Sequence, residues 1–191
     1  MARRIVIIQG HPDPDPSHLD HALAAAYREG AEAAGHEVRV IEVGRLDFPL
    51  LRNKQDFDHG EAPPAIIDAQ QHIEWAEHLL VLHPLWLGDM PALLKAFLEQ
   101  VFRPGFGFEG GRRMRPRLRG RSARVVITMG MPAFIYRWYF GAHSLKLLRR
   151  HILGFCGFGP VRSTLLGLVD TSDARRQRWL ERMRALGRAG A

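Results

Sequence analysis

With 191 residues, 46% of them hydrophobic, the chain can bury one proper core, and its single cysteine excludes an intrachain disulfide framework. Its start, Met1 to Arg4 and a short apolar stretch, carries no secretory h-region, and no apolar run approaches the roughly 18 residues of a membrane span. One domain over residues 1–191, no membrane insertion and a reducing, cytoplasmic setting are therefore expected. The net charge of +7 hides a division: residues 1–111 hold 9 Lys and Arg against 17 Asp and Glu, residues 112–191 hold 18 against 3.

Ile5 to Gln9 is a continuous apolar run ended by Gly10 and the proline-rich stretch to Pro16, which predicts a buried parallel strand. A helix begins near Ser17, with Leu19, Leu23, Ala26, Tyr27 and Gly30 on one face and Gly35 as its stop. Val38 to Val43 reads as the second strand, and residues 44–64 as a long, partly ordered connection. Ala65 to Glu77 is helical, burying Ile66, Ile67, Gln70 and Ile73, and Leu79 to Leu82 is the third strand, closed by Pro84.

Pro91 opens a helix whose stripe is Leu94, Phe97, Leu98 and Val101 and which Pro104 stops. Residues 104–123 form a Gly- and Arg-rich loop, with seven arginines from Arg112 to Arg124 that read first as a solvated surface. Val125 to Thr128 is the fourth strand, Ser144 to Leu153 a helix, Val161 to Val169 the fifth strand, and Ser172 caps a last helix ending near Gly187. Strands alternating with helices predict a doubly wound α/β fold with a five-stranded parallel sheet, whose ligands bind outside the carboxyl ends of the strands.

Three loops then carry the chemistry. The first lacks the G-x-G-x-x-G fingerprint of dinucleotide-binding folds, but His11, Ser17 and His18 surround a helix N-terminus suited to a phosphate. The second, from His83 through Trp86 to Pro91, is apolar where a polar turn is usual and could cover a flat ring. The third, Met129 to His143, holds five aromatics between Phe134 and Phe140, and Tyr136 and His143 are its donors suited to stabilising an anion. An aromatic contact between subunits is the competing reading of that loop. His18 and His21 have no third ligand spaced with them, so no metal site is expected, and Cys156 among phenylalanines reads as a core thiol.

Gly10-His11-Pro12 with Ser17, Pro84-Leu85-Trp86 followed by Met90-Pro91-Ala92-Leu93-Leu94-Lys95, Thr128-Met129-Gly130, Gly141-Ala142-His143 and Phe155-Cys156-Gly157-Phe158 together resemble the NAD(P)H:quinone oxidoreductase family, of the DT-diaphorase type, over nearly the whole chain. The resemblance implies a flavodoxin-like fold with strand order 2-1-3-4-5 and two-electron, ping-pong hydride transfer from NAD(P)H to a quinone-like acceptor. By it, His11, Ser17 and His18 would hold the phosphate of FAD or FMN, and Pro84, Leu85, Trp86 and Leu87 would cover the isoalloxazine. Thr128, Met129, Gly130 and Met131 would bond its pyrimidine edge, and Tyr136 and His143 would assist hydride transfer. It also implies a homodimer, and it offers one alternative, a flavoprotein regulatory subunit of a membrane transporter such as a potassium efflux system. No nucleic-acid partner is expected.

Two departures accompany it. Asp20 stands where the family commonly has asparagine, and a carboxylate there would repel phosphate unless turned away, so Asp20 is left outside the site. The tyrosine-to-histidine spacing is one residue longer than in DT-diaphorase, which leaves Tyr139 as the alternative to Tyr136. The arginines near Arg112 tilt the cofactor towards FAD, through its diphosphate.

Overall fold

The computed structural model describes residues 1–110, 114–169 and 172–191. Arg112, on which the argument for FAD leaned, lies outside the described residues. Among the described residues seven strands are found: β1 (Arg4–Gln9), β2 (Glu37–Glu42), β3 (His78–Pro84), β4 (Phe108–Glu109), β5 (Arg115–Pro116), β6 (Ser122–Met129) and β7 (Val161–Gly167). Five of them form one sheet in the order β2-β1-β3-β6-β7, with every pairing parallel. Counted within that sheet, this is the expected order 2-1-3-4-5. The two-residue strands β4 and β5 pair antiparallel inside the Gly- and Arg-rich segment expected to be a plain loop.

The register explains why the central strands are apolar throughout. Ile7 sits between Val40 of β2 and Leu80 of β3, and Val81 faces Val125 of β6, so both faces of these strands are covered by helices. On one face pack α3 (Pro64–Trp75) and α4 (Ala92–Val101), with a further helical stretch over 143–156. On the other pack α1 (Leu19–Ala33) and the final helix α7 (Asp173–Arg188). Those two helices approach through glycine: a Cβ at Gly30 would lie 2.1 Å from the Arg184 carbonyl oxygen, and one at Gly187 would lie 2.0 Å from that of Tyr27.

Several boundaries differ from the expected ones. α1 begins at Leu19 with His18 in the cap position, so Ser17 is not the cap, and Val43 leaves β2 for a 3-10 turn over Val43–Arg45. The connection 44–64 contains α2 (Lys54–His59), capped by Asn53, whose side chain accepts from the Asp56 N–H. Ile67 is 44% exposed, because the buried face of α3 runs through Ile66, Ala69 and Ile73. Pro91 occupies the cap of α4 instead of its first turn, and Ser172 caps α7 without a side-chain hydrogen bond. The expected helix after β6 is found as α5 (His143–Lys146), a wide-turned segment Leu147–Leu153 and α6 (Gly154–Cys156).

Cys156 is buried as expected, and burial pushes its thiol up to about 12. No helix among the described residues is long and apolar enough to cross a membrane, and none of their His, Cys, Asp and Glu side chains gather in threes fit to hold a metal ion.

Candidate active site

Three loops leave the carboxyl edge of the sheet side by side. The first begins at Gly10, whose N–H donates to the Leu82 carbonyl at 2.7 Å and where a Cβ would lie 2.7 Å from Leu94 Cδ2. The chain therefore leaves β1 pressed against α4. Next comes His11, buried, its ring stacked on His18 at 4.2 Å between centroids and edge-on to Trp86 at 6.0 Å. Burial lowers the His11 pKa, with the Asp13 backbone opposing part of the shift.

Asp13 organises the rest of this loop. Its carboxylate Oδ2 lies 2.9 Å from His18 Nε2, its carbonyl accepts from His21 Nε2 at 2.9 Å, and the hydrogen bond to His18 holds its own carboxyl below the usual range. With the His18 ring engaged there, its side chain makes no cap hydrogen bond to the first turn of α1, and a helix start without one offers N–H groups and a positive dipole end to an anion. Ser17 is exposed at that start, its N–H donating to Asp15 Oδ1 at 2.9 Å.

Asp20, left outside the expected site, is buried. It is 3% exposed in the first turn of α1, inside the loop cluster. Burial pushes its carboxyl up to about 6, against the opposing hydrogen bond from Thr128 and the nearby His21 and His18. Among the described residues its Oδ2 finds no hydrogen-bond partner, and Gln9 Nε2 at the end of β1 is likewise buried without one. Orphaned buried polar atoms need a water or a ligand; Asp20 lies beside Thr128 at the start of the third loop, and Gln9 ends β1 at the start of the first.

The second loop is a tight reversal. Trp86 and Asp89 exchange backbone hydrogen bonds of 2.8 and 2.9 Å around Leu87 (φ 47) and Gly88 (φ 82), both left-handed. Glycine takes that conformation freely, whereas leucine at such a φ is strained on the order of 1 kcal/mol, a cost found mostly at functional positions. The turn presents Trp86, 49% exposed, and Leu87, wholly exposed, beyond half-buried Pro84 and Leu85. Behind them His83 is buried and pushed down to about 4, its Nδ1 donating to the Pro84 carbonyl at 2.9 Å.

The third loop is tied to the second where the Thr128 carbonyl accepts from the Leu85 N–H at 2.8 Å. The carbonyls of Met129 and Met131 accept from Val169 and Leu168, and Gly130 is exposed between them. A wide-turned segment, Ile135–Tyr139, follows, and then Gly141 and Ala142 in left-handed conformation (φ 66 and 48). This bend folds the His143 ring back so that a Cβ on Gly141 would lie 2.9 Å from His143 Nε2. His143 is exposed and lines a cleft of about 600 Å³ together with Leu87, Gly88 and Asp89, so the structure brings it to the second loop.

Tyr136 is placed differently. It is 1% exposed, its hydroxyl 2.7 Å from Ser144 Oγ and accepting from the Leu145 N–H at 3.1 Å, so it lies beneath the start of α5. Tyr139 is 82% exposed on the same turn. Sequence reasoning did not single out Asp13 or Gln9, and it weighed Asp20 but left it outside the site. The i,i+3 spacing of His18 and His21 was the available signal that one helix face is directed at this loop.

An uncapped helix start, an exposed apolar turn and a polar strand-end loop fit a flat heteroaromatic ring with an anionic tail. Comparison with known proteins agrees with this chemistry. Residues 3–186 match the family model described as a flavodoxin-like fold. The chain is 27% identical over 212 residues to the FMN-dependent NADH:quinone oxidoreductase of Nitratidesulfovibrio vulgaris, covering 95% of this chain and 97% of that protein. It is 30% identical over 155 residues to the ribosyldihydronicotinamide dehydrogenase-like protein of Penicillium crustosum, covering 66% of this chain but only 57% of that relative's length. An NAD(P)H:quinone oxidoreductase structure from Methanothermobacter marburgensis superposes with a TM-score of 0.81 at 22% identity, over 98% of this chain and 96% of that one, a likeness of fold.

Proposed function

Because the chain belongs to the flavodoxin-like fold family, we propose that it is a flavin-dependent NAD(P)H:quinone oxidoreductase. The observation that carries this is the convergence of three loops at the carboxyl edge of the sheet, tied by the His11–Trp86 contact and the Asp20–Thr128 hydrogen bond, with an uncapped helix start on one side and His143 on the other. A bound flavin would supply the carrier that accepts a hydride from NAD(P)H and passes two electrons to the quinone.

The chain's own residues have separable tasks. The start of α1 with His11, Ser17 and His18 binds the flavin phosphate, Pro84 to Leu87 shield one ring face from water, and Thr128 to Met131 orient the polar edge. His143 offers a proton donor at the cleft, where it offsets negative charge as hydride arrives. Tyr136, with its hydroxyl engaged under α5, serves as a positioning residue for His143.

FMN is the proposed form. One terminal phosphate suffices for one helix start, and the Nitratidesulfovibrio relative is named FMN-dependent. Tyr139 and Phe140 are 82% and 49% exposed, apolar surface that a homodimer would cover. The single buried thiol suits a reducing compartment such as the cytoplasm.

The absorbance spectrum of the purified protein, followed by chromatography of the released flavin, tests the reading. A yellow protein, or stoichiometric uptake of FMN, is expected. A colourless protein that takes up neither FMN nor FAD ends the proposal.

A further inference from the structure

A second cleft, of about 550 Å³, runs along the outer edge of β7 between the 143–156 helix and α7. Four cations line it: Arg137 from the wide turn, Lys146 and Arg149 one helical turn apart, and Arg182 from α7. All four are exposed, none makes an ion pair or a side-chain hydrogen bond among the described residues, and no described acidic residue lines the cleft. Elsewhere several arginines pair with nearby carboxylates, as Arg28 does with Glu32, Arg45 with Glu42 and Arg184 with Glu29. Four unneutralised cations from three elements around one concavity repel one another and gain by meeting an anion.

The remaining walls narrow the chemistry. Trp138, 80% exposed, and Phe134, 65% exposed, offer flat faces at one end, and Ser163 adds a hydroxyl. Phosphates flanked by an aromatic base match cations flanked by aromatic rings. The cleft neighbours the proposed active site: Lys146 lines both this cleft and the one holding His143, and Ala142 precedes His143 in the chain.

We propose that this cleft binds the adenosine diphosphate end of the hydride donor, its 2′-phosphate included, while the nicotinamide end reaches the His143 cleft. NADPH is then preferred over NADH. This inference rests on the oxidoreductase reading above, and its test separates the two.

The flavin-loaded protein is assayed with NADPH, NADH and N-ribosyldihydronicotinamide, which carries the same hydride but no phosphate and no adenine. Arg149→Ala with Arg182→Ala is compared with wild type; both side chains are exposed, and neither belongs to the proposed flavin site. The double variant should raise KM for NADPH about tenfold or more, the scale of losing one or two charge-assisted hydrogen bonds. Its kcat with NADPH, and its kcat/KM with the riboside donor, should stay at wild-type values. An unchanged KM for NADPH, or an equal loss with the riboside donor, overturns the inference while leaving the oxidoreductase reading intact.

Calorimetric titration of the flavin-free protein with 2′-phospho-ADP-ribose supplies a readout that needs no turnover. Binding that the double variant weakens supports the cleft even if no donor is oxidised. Absence of binding, or binding that the variant leaves unchanged, counts against it.

Discussion

The side chain of Asp20 hydrogen-bonds Thr128, joining the first turn of α1 to the carboxyl end of β6 through a buried carboxyl. Desolvation favours its protonated form in the fold, and that form can donate where a carboxylate would repel a phosphate.

A pH dependence of stability follows. The folded pKa, about 6, lies above the ordinary 3.8, so between these values the folded protein binds more protons at Asp20 than the unfolded chain does. Stability from this group is therefore present at low pH and lost as pH rises from about 4 to about 6, by on the order of 2–3 kcal/mol. His78 and His83, pushed down to about 3 and about 4 by burial, act in the opposite sense and destabilise as pH falls below 6.5. Comparison with Asp20→Asn isolates the carboxyl. The difference in urea midpoint between wild type and variant, measured without flavin, should grow in favour of the variant from pH 4 to 6 and stay level above. A difference independent of pH would show that Asp20 does not titrate in this window.

His143→Gln should slow flavin reduction by NADPH roughly ten- to a thousand-fold, the scale of removing one charge-stabilising donor. His143 is exposed and carries no structural hydrogen bond among those found, so flavin content should change little. Stopped-flow bleaching decides it: a variant that bleaches at the wild-type rate removes His143 from the mechanism.

Tyr136→Phe should behave as a stability variant. Its hydroxyl is buried between Ser144 Oγ and the Leu145 N–H, and losing it strands both groups at a cost of about 1–3 kcal/mol. Denaturant unfolding should show that loss, with the bleaching rate falling less than for His143→Gln. A larger effect on rate than that of His143→Gln, with stability intact, would restore Tyr136 to a direct role.

Gly187→Ala should destabilise although alanine is the better helix former by about 1 kcal/mol. The new Cβ would lie 2.0 Å from the Tyr27 carbonyl oxygen, and α1 and α7 must separate to admit it. A net loss of about 1–3 kcal/mol is expected. A variant as stable as wild type in urea would mean that α7 shifts freely.

Light scattering at micromolar concentration should give twice the mass of one chain if the proposed homodimer covers exposed Tyr139 and Phe140. A monomeric mass with flavin bound contradicts that reading of the aromatic loop.

Periodicity alone determined the alternation of strands and helices. The apolar runs of β1, β3 and β6 are long enough to be buried on both faces, and the chain can satisfy that only between two helical layers. The apolar stripe of α4 and the glycine stop after α1 were legible for the same reason, since each is set by residues close in sequence. Ile67 was misplaced because adjacent isoleucines leave the phase of a helix face undecided until its neighbours fix it. The candidate site was legible as three loops but not in its contacts. Burial of Asp20 depends on β6 arriving beside α1, more than a hundred residues away in the chain, and the depth of Tyr136 depends on α5 folding back over it, with Ser144 and Leu145 at its hydroxyl. The basic cleft is the furthest from the sequence: Arg137, Arg149 and Arg182 lie on three elements, and only their packing around the edge of β7 makes their charges converge.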